Sequence, residues 1–82
     1  MQAIRGGIAV GQSAGNADLV LKIEEAIKRR IDVGSRVAAD RLMEELEAKY
    51  TNIGAIHSAV HNLRRREELD AIHDGKMLLR KK

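Results

Sequence analysis

The stretch that decides the reading is Thr51–Leu69, TNIGAIHSAVHNLRRREEL. At about 100° per residue, Ile53, Ile56, Val60 and Leu63 fall on one side of a helix with Ala59 at its edge, which makes that side a core face. The opposite side gathers Gly54, Ser58, His61, Asn62 and Arg65, small, hydrogen-bonding and cationic groups able to lie close against another surface. Amphipathicity alone does not separate a recognition element from a packing helix. The segments on either side decide between them.

Upstream, Asn16 or Asp18 caps a first helix that runs to Ile31, with Leu19, Val20, Ile23, Ile27 and Ile31 on one arc. Lys28, Arg29 and Arg30 in its last turn suit the helix dipole. The sequence IDVGSR then interrupts the period: Val33 and Gly34 suit a brief extended piece, and Ser35 suits a cap. A second helix of about four turns follows, with Ala38, Ala39, Leu42, Met43, Leu46 and Tyr50 inward and Asp40, Glu44 and Glu47 outward. Only the tripeptide YTN separates it from the third helix, 52–68, for which Thr51 or Asn52 is the cap. Two helices joined so tightly make a helix-turn-helix reasonable.

Downstream, LDAIH and KMLLRKK flank Asp74-Gly75. Asp-Gly is a strong hairpin signal, because a two-residue turn of this kind needs positive φ at both central positions. With those two residues as the loop, Ile72 faces Met77 and Ala71 faces Leu78. A lone hairpin is marginal in water, so this one should rest on the helices.

Composition agrees with a thin helical domain. The 82 residues include no Phe, Trp, Pro or Cys and one Tyr, so the core is aliphatic and held by neither disulfides nor thiolate-bound metal. Four of the seven glycines lie in 1–15, read as a flexible N-terminal arm preceding a domain over 16–82. Neither a membrane span nor a signal peptide is expected, which suits a cytoplasmic protein. The net charge of +3 is unevenly spread: 51–82 holds seven basic and four acidic residues. The basic excess therefore lies on the third helix and the hairpin.

In this order of elements the chain resembles the winged helix-turn-helix family of DNA-binding domains. The resemblance rests on VGSRVAADRLMEELEAKY, on TNIGAIHSAVHNLRRREEL and on LDAIHDGKMLLRKK as the wing. It implies a mainly α fold of three helices with a small β-hairpin, the third helix in the major groove and a basic wing, 69–82, on the flanking backbone. Carried over, Thr51, Asn52, Ala55, Ser58, His61, Asn62 and Arg65 would be reading-helix contacts, and Lys76, Arg80 and His73 wing contacts. Asn62 suits an adenine edge and Arg65 a guanine edge or a phosphate, while Thr51, Ser58, Lys76 and Arg80 suit phosphate positioning. The implied partner is double-stranded DNA. A homodimer would need its contact from the arm or the first helix.

The resulting expectation is a small transcriptional regulator or DNA-associated accessory factor. The competing expectation is a winged-helix module that binds a protein partner within a larger assembly, through the acidic face of helix two or the apolar remainder of the hairpin. His57 and His61 have a metal-compatible spacing, with His73 as a third candidate, but no Cys or carboxylate pattern completes a site. Neither a metal nor a cofactor is expected. The N-terminal glycines lack the Lys and Ser or Thr of a phosphate loop, and no activated nucleophile or carboxylate pair points to an enzyme.

Overall fold

A computed structural model describes the backbone of residues 7–82 and the side chains of 17–82. Its elements are α1 (Gly7–Arg30), β1 (Arg36–Ala38), α2 (Ala39–Lys49), α3 (Ile53–Arg65), β2 (Leu69–Ile72) and β3 (Met77–Arg80). The strands form one antiparallel sheet in the order β1-β3-β2. Three helices and this small sheet make a mainly helical, winged-helix type of fold.

The first helix is longer at its N-terminus than Asn16 or Asp18 implied: the backbone is helical from Gly7. With no proline in the chain, glycine and asparagine raise the cost of the helix without blocking it. Of the arm expected over 1–15, residues 1–6 lie outside the described residues. The C-terminal half of α1 follows its period, with Ile23, Ile27 and Ile31 buried.

The extended piece expected at Val33–Gly34 lies three residues further on. Residues 32–35 turn, with Gly34 at φ +87° and the Ser35 N–H donating to the Asp32 carbonyl at 2.9 Å. Arg36, Val37 and Ala38 then pair with Leu79, Leu78 and Met77. Because β1 occupies the place given to the start of helix two, Ser35 caps nothing there. The Ala38 cap position makes no side-chain cap bond; instead the Ala39 N–H donates to the Lys76 carbonyl of the hairpin at 2.8 Å. The helix has 11 residues, about three turns rather than four.

The hairpin has the expected register, Ile72 opposite Met77 and Ala71 opposite Leu78. Asp74 and Gly75 both have positive φ, 58° and 81°, and the Lys76 N–H closes the turn on the His73 carbonyl at 3.1 Å. Pairing puts Val37, Leu78 and Ala71 side by side on one face, joined by Leu69 two residues along. Val37, Leu69 and Leu78 are buried there, and Ala71 packs at the edge of the core. Every element contributes to that core: Leu42 and Leu46 from α2 and Ala55, Ile56, Ala59 and Leu63 from α3 complete it.

Both ends of α3 are fixed locally. The Ala55 N–H donates to Asn52 Oδ1 at 3.0 Å, the expected cap. At the other end Glu67 has φ +61°, and the N–H groups of Glu67 and Glu68 donate to the carbonyls of Arg64 and Leu63 at 3.0 and 2.9 Å. This paired closure uses a left-handed residue where glycine is the usual choice. It ends α3 at Arg65 and turns the chain into β2.

Candidate nucleic-acid interface

The buried side of α3 differs from the simple periodic reading. Ala55, Ile56, Ala59 and Leu63 are buried, Val60 is half-buried, and Ile53 is 53% exposed. The core face is therefore rotated by roughly 60° from the arc drawn through the bulky residues. Gly54, His57, Ser58, His61, Arg64 and Arg65 form the exposed side.

This rotation sorts the anticipated contacts. Ser58, His61 and Arg65, at i, i+3 and i+7, are exposed together. Thr51 and Asn52 are exposed just before the helix, with Asn52 also serving as its cap. Ala55 is a correction: at 4% exposure its methyl group belongs to the core and cannot reach a ligand.

Asn62 is also committed elsewhere. Its Nδ2 donates to Glu24 Oε2 at 3.1 Å, and Arg66 Nη2 lies 2.7 Å from Glu24 Oε1. Glu24 is 3% exposed, so α1 presents a buried carboxylate to α3 and fills both of its oxygens with α3-side donors. Arg66 Nε also donates to Glu68 Oε2 at 2.7 Å, and Lys28 Nζ is 3.1 Å from Glu68 Oε1. The bonds to Glu24 and Glu68 raise the pKa of the Arg66 guanidinium. Hydrogen bonds from Arg66 and Lys28 hold the Glu68 carboxyl below its ordinary range. The end of α3 is thus latched to α1 by alternating charges.

The wing residues divide in the same way. Lys76 is exposed in the turn, as is His73, which has φ +54°. Arg80 has an internal role: its Nη1 donates to the carbonyls of Lys28 at 2.5 Å and Ile31 at 3.0 Å, and its Nε to that of Lys82 at 2.7 Å. It satisfies carbonyls left open at the C-terminus of α1. Its place as a wing contact is therefore taken by a structural role.

Arg64 is the functional candidate that periodicity missed. The arc through Ile53, Ile56, Val60 and Leu63 left it out of the expected contacts, whereas the observed rotation exposes it beside Arg65. Among the described residues, neither Arg64 nor Arg65 has an ion pair, in contrast to Arg66 with Glu24 and Glu68 and Arg30 with Glu45. Arg64 and Arg65 line a shallow depression with His61, Leu69 and Asp70, where α3 meets β2. Unpaired guanidiniums beside a hydroxyl and an imidazole can bind an anionic backbone. Among the described residues, no three metal-ligating side chains converge, and no helix is long and apolar enough to cross a membrane.

No curated protein and no solved structure matches the chain. One family profile does, described as MCM5, C-terminal domain, over residues 22–80. That span takes in the last nine residues of α1, all of α2 and α3, and the three-stranded sheet. Because the match covers most of the chain and the whole of its helix and wing core, this protein belongs to the MCM5 C-terminal domain family.

Proposed function

We propose that this domain is a non-enzymatic, DNA-associated accessory module of a replication-type assembly, which docks the exposed side of α3 on the backbone of double-stranded DNA. The observation that carries the reading is the pair Arg64 and Arg65, exposed and without an ion pair among the described residues, next to Ser58 and His61. Thr51 before the helix and Lys76 in the wing turn extend the same chemistry. Membership of an MCM family favours an accessory role over that of a free-standing transcriptional regulator.

In this reading the domain works in the cytoplasm beside DNA, in company with protein partners. Its contacts go mainly to phosphate, because Asn62, the residue best suited to a base edge, is bonded to Glu24. Binding should therefore depend strongly on salt and only weakly on sequence. Titration of a labelled mixed-sequence duplex with the wild type and with an Arg64→Ala/Arg65→Ala variant tests this. Equal affinity in the two proteins rejects the assignment.

A further inference from the structure

A second surface lies beside the proposed DNA face and is chemically different from it. Ile53, His57, Val60 and Arg64 stand at i, i+4, i+7 and i+11 along α3 and so form one stripe. Ile53, at its start, is one of three large apolar residues that the described structure leaves exposed. Further along, a groove between α3 and α2 is lined by Met43, His57, Val60, His61 and Arg64. Met43 and Val60 pack on the core and are half-buried, giving the groove an apolar floor. The α3 rim carries a guanidinium and two imidazoles, and no carboxylate is among the described lining residues. Asp40 and Glu47 lie on the α2 side within roughly one residue's rotation of Met43, so the two rims differ in charge.

We infer that this groove is a docking site for an amphipathic helix of a protein partner, with aliphatic side chains on the Met43–Val60 floor and acidic side chains along the α3 rim. Three features fit that occupant. Ile53 and the floor at Val60 provide apolar contacts two helical turns apart along α3, a spacing that the i and i+7 anchors of a helix laid in the groove can match. The α3 rim complements acid, and complementarity across a rim gives specificity and steering. A nucleic acid offers an exposed isoleucine little beyond a thymine methyl group, whereas the aliphatic side chains of a helix can cover both Ile53 and the apolar floor, so the stripe suits a protein ligand better. Since His61 and Arg64 belong to both surfaces, the peptide and duplex DNA should compete.

The test uses the full 82-residue chain and a synthetic helical peptide of about four turns, with Leu at i, i+4, i+7 and i+11 and Glu along one flank. Two control peptides have the same composition with the Leu residues dispersed, or Lys in place of Glu. Amide shift mapping should show saturable changes centred on Met43, Ile53, His57, Val60 and Arg64, much weaker with either control. Ile53→Ser and Arg64→Glu should each weaken binding by about tenfold or more, and both sites are exposed, so unchanged melting curves would show that the variants fold. The proposal is overturned if the peptide does not saturate, if the dispersed-Leu control binds as well, or if both folded variants bind like the wild type. Duplex titration of Ile53→Ser separates this site from the DNA face: its DNA affinity should match the wild type.

Discussion

Asn62 and Glu24, 38 positions apart, meet in a 3.1 Å hydrogen bond that ties the outer flank of α3 to a buried carboxylate on α1. The same carboxylate holds Arg66 at 2.7 Å. Asn62 on α3 and Arg66 just beyond its last residue are therefore part of the helix's attachment to α1. What remains for an external ligand is the side bearing Ser58, His61, Arg64 and Arg65.

Removing the latch should destabilise the fold without touching the proposed contact side chains. Glu24→Ala leaves the Asn62 amide without its acceptor and the half-exposed Arg66 with Glu68 alone, and should cost about 1–3 kcal/mol in urea unfolding. An unchanged unfolding midpoint would show that the latch adds no net stability.

Acid should weaken the domain in part through Glu68. Its folded pKa is depressed by Arg66 and Lys28, so the folded state binds fewer protons at this site than the unfolded chain. The stabilisation is complete above the ordinary carboxylate pKa and is lost as pH falls through the lower folded value. Unfolding midpoints measured from about pH 7 down to about pH 3 should therefore fall less steeply in Glu68→Gln than in the wild type. Parallel profiles would show that Glu68 contributes nothing to the acid sensitivity.

Arg80 allows stability and binding to be separated. Arg80→Ala removes donors from the carbonyls of Lys28, Ile31 and Lys82 and should lower stability by about 1–2 kcal/mol. In the same protein the salt dependence of duplex binding should be unchanged. A shallower dependence would return Arg80 to the wing's contact set.

Local signals were readable in the sequence and distant ones were not. Asn52 as the cap of α3 and the Ile72–Met77 register of the hairpin follow from adjacent residues and a two-residue turn. Strand β1 is held by pairing with β3, about forty positions away, so no local pattern placed it at Arg36–Ala38. The same pairing displaced the start of α2, whose first N–H is bonded by the hairpin. On α3 the bulky Ile53 drew the core arc towards itself, whereas the buried position is the small Ala55. Side-chain size is a weak guide to burial at a helix edge. The commitment of Asn62 and Arg80 depends on Glu24 and on the end of α1, elements brought near only by the fold.

The proposed DNA contact through Arg64 and Arg65 should be read out in the salt dependence of duplex affinity. The logarithm of the association constant for a mixed-sequence duplex should fall linearly with the logarithm of salt concentration. In Arg64→Ala/Arg65→Ala the slope should be shallower by about two phosphate contacts, each worth roughly 0.9. Parallel lines for the two proteins, or no duplex binding by the wild type at low salt, would rule out a DNA contact through these two arginines.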